Sequence, residues 1–220
     1  MAQLINVAPP RLPTAPTQYE TRFHDQHSDV LRLYFTQLSN NTNALTGPRG
    51  GQYMNNPYAS VTRRTDQFFV SNTATEITFP TNDYLNGCTN NGTDGIVVQQ
   101  SGLYNYQFSL QFVNTDSQAV NSWVWLRKNG VDIPWTGSKY DMPAKHGASD
   151  GYLIAVANFF VELAAGDAVS LYAATAQAYN AGTATPGVYL EAYTAQTSPF
   201  AMPAVPPAVA TLSFVSSILP

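Results

Sequence analysis

The chain has 220 residues, of which 44% are hydrophobic and 11% charged, and ten Lys and Arg against fourteen Asp and Glu give a formal net charge of -4. That length supports one sizeable core with appended tails, and the charge balance offers no surplus of cations to neutralise phosphates, which argues against a nucleic-acid partner. Cys88 is the sole cysteine, so neither an intrachain disulfide nor a paired-thiol zinc site can form, and stability must come from packing or oligomerisation.

The N-terminal MAQLINVAPPRLPTAPTQ lacks the basic and continuous apolar regions of a signal peptide. No run approaches the roughly 18 apolar residues needed to cross a bilayer. The expectation is a protein made soluble in a cytoplasm, without membrane insertion. Pro9, Pro10, Pro13 and Pro16 make residues 1–18 an extended proline-rich arm. The following stretch contains no Gly or Pro, and residues 19–46 are expected to form a helix. His24, His27, Leu31, Tyr34, Leu38, Asn41 and Leu45 recur at steps of three and four, the spacing of a short coiled-coil seam. Phe23, Val30, Leu33 and Phe35 fall on other faces, so the helix needs more than one neighbour. Phe23, Val30, Leu31, Tyr34, Leu38 and Leu45 are the candidate anchoring or trimer-forming positions.

The Gly-, Pro- and Asn-dense GPRGGQYMNNPY ends the helix and makes residues 47–64 a linker. Beyond it the period changes to two. In LYNYQFSLQFV, Tyr104, Tyr106, Phe108, Leu110 and Phe112 alternate with polar residues, as a strand with one buried face requires. Shorter runs behave alike: TEITF, IVV, FFVEL, VSLYA and VYLEAY, separated by turn signals at NNGTDG, SG, NG and AAGD. Many short strands without intervening helices define a sandwich, barrel or jelly roll over residues 65–196. Residues 197–220 return to proline and then present Leu212, Phe214, Val215, Ile218 and Leu219. Such a tail is expected to add to a neighbouring chain or to fold along its own trimer.

The hairpin VWLRKNGVDIPWTG sets two cations side by side. A two-residue Asn129-Gly130 loop fixes its register, opposing Lys128 to Val131, Arg127 to Asp132 and Leu126 to Ile133. Val124, Leu126, Ile133 and Trp135 then line a core face, while Arg127 and Asp132 form a cross-strand ion pair beside Trp125. The basic pair therefore reads as hairpin architecture and not as an anion site.

The succession SGLYNYQFSLQF, WLRKNGVDIPWT, FFVELAAGDAVSLYA and VYLEAY resembles the globular head of complement component C-one-q and the tumour-necrosis-factor-like jelly rolls. Gly102 and Tyr104, Lys128 to Gly130, and Leu163, Gly166 and Asp167 occupy the matching positions. The resemblance implies a mainly β jelly-roll sandwich of about ten strands that assembles as a homotrimer. The whole layout, with its arm, its helix running into YF-x-QL, the segments GGQYMNNPY and TDQ, the loop from His146 to Gly151 and the stretch AQTSP, resembles structural proteins of tailed-phage virions. That likeness implies a fibre or appendage located in the virion, docked on other tail or head proteins, and the layout favours a tail fibre or tail-associated appendage over a head fibre or decoration protein. The alternative is a trimeric adhesin module that binds a host surface glycan. Trp135, Tyr140 and Tyr179, in aromatic loops, are the candidate receptor contacts.

Other chemistry is set aside. His24 and His27, near Asp25 and Asp29, lack a further ligand type and read as polar coiled-coil layers, so no metal or cofactor is expected. Asp83, Asp94, Asp116, Asp141, Asp150 and Asp167 are scattered over turns, and there is no G-x-S-x-G, H-E-x-x-H or phosphate-binding loop. No catalytic residue is expected.

Overall fold

The structure, a computed structural model, describes residues 8–14, 16–46, 56–90 and 95–217. The linker stretch 47–55, most of the NNGTDG turn, and Ile218 and Leu219 lie outside the described residues. The chain divides into two compact units at Asn55 and Asn56.

In the first unit, residues 8–14 take neither helix nor strand, as their prolines require. Helix α1 spans Thr21–Thr46. Its chain start is tied by the amides of Phe23 and His24, both donating to the Glu20 carbonyl. Phe23, His27, Val30, Tyr34, Gln37, Asn41 and Ala44 are half-buried at alternating steps of four and three, with Leu31 beside them. Leu33 and Phe35 are exposed, as are Leu38 and Leu45 of the sequence-derived seam. His27, Leu31, Tyr34 and Asn41 are common to this stripe and to the sequence-derived seam.

The second unit is a two-sheet sandwich in which every strand pairing is antiparallel. Its strands run in chain order β1 Tyr58–Arg63, β2 Gln67–Phe68, β3 Thr75–Ile77, β4 Thr81–Asn86, β5 Cys88–Asn90, β6 Ile96–Val98 and β7 Gly102–Asn114. There follow β8 Val120–Lys128, β9 Val131–Asp132, β10 Ser138–Met142, β11 Gly151–Leu163, β12 Ala168–Thr175, β13 Val188–Leu190 and β14 Ala208–Ser216. The first sheet reads β2-β13-β7-β14-β1-β4, with β11 on the free side of β7. The second reads β10-β8-β12-β6-β5, with β3 added to β12 and β9 to β8. This is the jelly-roll sandwich expected from the sequence.

The period-two pattern explains the core. Tyr104, Tyr106, Phe108, Leu110 and Phe112 all point inward from β7 and are at most 5% exposed. They meet Val124 and Leu126 of β8 and Val169, Leu171 and Ala173 of β12 in one apolar cluster. Burying side chains of this size contributes roughly 1.5–3 kcal/mol each.

The sheet extends past the boundaries expected from the sequence at both ends. Residues 58–63, placed in the linker, form β1, and residues 208–216, placed in the tail, form β14 between β1 and β7. Ala208, Ala210 and Leu212 of β14 are at most 1% exposed, so this tail segment completes the sheet of its own chain instead of seeking a neighbour. The alternation A-x-A-x-L is there in the sequence, but alanine carries so little apolar area that its period of two is faint beside the apolar set from Leu212 to Leu219.

Candidate functional site

The hairpin forms in the expected register, Arg127 opposite Asp132 and Lys128 opposite Val131, with Asn129 and Gly130 both at positive φ. Arg127 Nε donates to Asp132 Oδ1 at 2.5 Å, and Trp125 Nε1 donates to the same oxygen at 2.6 Å. The guanidinium also lies 3.9 Å from the Tyr172 ring centre. These contacts hold the Asp132 carboxyl below the usual carboxylate range, chiefly through the Arg127 hydrogen bond and then that of Trp125. Both cations of this basic pair thus have a carboxylate partner, Arg127 in Asp132 of its own hairpin and Lys128 in Asp167, at 3.7 Å.

Trp135 departs from the core stripe expected of it. Pro134 has no amide to donate, the ladder ends, and β8 continues with Ser138 opposite Val124. Trp135 is thrown out at φ 66 and is 98% exposed. Tyr140, opposite Ser122, is partly buried and donates to the Val156 carbonyl at 3.3 Å. Tyr179 follows β12 at the far end of the sheet from the hairpin. The three candidate receptor residues therefore do not converge, and only Tyr179 joins other aromatic rings.

That gathering is on the outer face of the first sheet. Phe68, Tyr189, Val113 and Tyr152 stand directly opposite one another on β2, β13, β7 and β11, forming one row across four strands. Phe68 and Tyr189 stack at 5.3 Å, and Tyr179 closes the trio at 5.9 Å and 5.2 Å from them. Its position is fixed by its amide, which donates to the Val188 carbonyl. Next in the face, Tyr189 donates to Glu191 Oε1 at 3.0 Å, while Tyr193 packs against Tyr152 at 6.3 Å. Burial first, and then the Glu191 carboxylate, push the phenols of Tyr189 and Tyr193 above the usual range.

On the same face, β11 carries a second feature. Tyr152, Ile154, Val156 and Phe160 alternate outward along the strand and are 54%, 63%, 61% and 63% exposed. Among the described residues β11 pairs only with β7, so it is an edge strand with an apolar ridge. Nothing in the sequence reading singled out this ridge. The signal was present: in YLIAVANFFVEL the inward set is apolar and the outward one is apolar except at Asn158 and Glu162, more than a strand with one watered face requires.

Shallow grooves open on the sandwich. One of about 390 Å³ lies among Thr62, Arg64, Asp83, Tyr193 and Val205, and holds the Arg64–Asp83 ion pair at 2.8 Å. One of about 460 Å³ runs beside Phe68 and Tyr179. Another, of about 340 Å³, lies between the hairpin and Phe160. Among the described residues there is no group of three metal-ligating side chains, and His24 and His27 stand on α1 beside Tyr19 and Phe23.

No protein-family model and no curated protein sequence matches the chain. Among solved structures it is similar to the globular domain of zebrafish complement 1qA protein, at 14% identity and a TM-score of 0.42, covering 74% of this chain and 99% of that one. It is likewise similar to murine APRIL in a crystal structure at pH 5.0, at 13% identity and a TM-score of 0.45, covering 73% and 99%.

Proposed function

We propose that this chain is a non-enzymatic structural protein of a tailed-phage virion: a homotrimeric tail fibre or tail-associated appendage whose arm and helix dock on the particle and whose jelly roll forms the distal head. The observation that carries the self-assembling part is the β11 ridge. Four large apolar side chains more than half exposed on one edge strand form the kind of contiguous patch that marks an interaction surface. The half-buried stripe of α1 from Phe23 to Ala44 keeps a heptad spacing and supports a helical seam between copies. The division into an N-terminal arm-and-helix unit and a sandwich supports separate docking and head roles. A head fibre or decoration protein has the same layout. The aromatic trio favours an added glycan-binding role.

Light scattering of the purified full chain tests the assembly and should return about three times the 23.9 kDa chain mass. A monomer at micromolar concentration sinks it. For the docking role, immunogold labelling should find the full chain on purified particles, and a chain lacking residues 1–46 should be absent from them. Equal incorporation of both reassigns the arm and helix.

A further inference from the structure

We propose that the groove lined by Phe68, Ser71, Tyr179 and Asn180 is a binding site for a neutral saccharide. This goes beyond the assembly role and takes up the glycan reading by committing it to one place.

Three properties of the groove point to that ligand class. The first is its aromatic wall: Phe68 is 45% exposed, Tyr179 lies 5.9 Å from it, and Tyr189, which does not line the groove, stacks on Phe68 at 5.3 Å. Rings offered to solvent provide flat faces for the C–H side of a pyranose, while a tyrosine tip supplies a hydrogen-bonding hydroxyl.

The second is charge. The lining residues, Phe68 to Ser71 and Ala178 to Gly182, include no Asp, Glu, Lys, Arg or His. A sialic acid, a phosphate or a charged peptide would leave its ion unpaired there. A neutral sugar needs only rings, hydroxyls and amides, and Tyr179, Asn180 and the backbone supply them.

The third is rigidity. Asn180 exchanges backbone hydrogen bonds with Thr185 in both directions at 3.1 Å, and its Oδ1 accepts from the Gly182 amide at 2.9 Å. Ser71 Oγ accepts from the Ala178 amide at 2.9 Å. Phe69 forms a buried floor stacked on Phe112. The walls are therefore in place before a ligand arrives, which lowers the ordering cost of binding. A volume of about 460 Å³ lies within the range of small-molecule sites.

The test is a glycan array of immobilised neutral and acidic oligosaccharides, probed with the labelled full chain. Retention on at least one neutral glycan is expected, falling at least tenfold in Phe68→Ala and in Tyr179→Ala. It should persist in Phe68→Tyr and Tyr179→Trp, which keep a ring, and in Trp135→Ala. Unchanged melting temperatures of the alanine variants keep a loss from being read as unfolding. Absence of retention on every neutral glycan, retention on acidic glycans alone, or retention indifferent to Phe68→Ala and Tyr179→Ala overturns the site. So does a loss confined to Trp135→Ala. Light scattering on the same samples reports trimer assembly separately, so the site and the assembly stand or fall independently.

Discussion

Asn129 and Asp167 interlock two turns that lie 38 residues apart in the chain: the Asn129 amide donates to Asp167 Oδ1 at 2.7 Å. Asn129 Oδ1 accepts from the Ala168 amide at 2.8 Å, and Asp167 Oδ2 accepts from the Ala164 amide at 2.8 Å. The K-N-G hairpin and the G-D turn therefore hold each other, which explains why β8 and β12 begin their pairing in register at Lys128 and Val169. Asp167→Ala removes both acceptors and is expected to cost about 1–3 kcal/mol in a urea titration.

The same carboxylate contributes to acid sensitivity. The Asn129 hydrogen bond, then that of the Ala164 amide, hold Asp167 below its ordinary value near 3.8. Its stabilisation is therefore complete above that value and is lost as pH falls through the lower native one. Unfolding midpoints measured from pH 5 downward should drop less steeply in Asp167→Asn than in the parent. Identical slopes would show that the lowered titration makes no contribution.

Gly102 opens β7 where β14 passes close by. A Cβ there would lie 2.4 Å from Phe214 Cε2 and 2.9 Å from the Ser216 carbonyl oxygen. Gly102→Ala should destabilise by about 1–3 kcal/mol through overpacking, and Phe214→Leu in the same chain should recover part of that loss. Both read out as midpoints of chemical unfolding.

Removal of residues 208–220 takes β14 out of the middle of the first sheet, leaving β1 and β7 without their shared neighbour. The truncated chain is expected to be insoluble or to lack dispersed amide resonances. A soluble, well-folded product would mean that β14 is dispensable.

On the β11 ridge, Val156→Asp and Phe160→Glu change exposed side chains without entering the core. Each should lower the mass found by light scattering from about three chains toward one, with the far-ultraviolet circular dichroism unchanged.

Cys88 is 5% exposed, and burial pushes its thiol up to about 11. Alkylation at pH 8 should be far slower in the native protein than in urea, so the reaction reports opening of β5.

The sequence by itself determined the sandwich class, the helix and the hairpin register, because each rests on local periodicity or on a turn whose geometry two residues dictate. Tyr104 to Phe112 could face only one way, and Asn129-Gly130 allowed only one pairing of Arg127 with Asp132. Tertiary structure alone decided matters that depend on long-range pairing. Ala208 to Leu212 became a central strand because β1 and β7 left a gap that small side chains fill. Trp135 left the core because Pro134 ended the ladder. The row from Phe68 to Tyr152 exists only because β2, β13, β7 and β11 lie side by side, although its residues, from Phe68 to Tyr189, span more than half of the chain. Local patterns tell which face of a strand is buried; which strands are neighbours, and so which exposed rings share a surface, is set by the packing of the whole sheet.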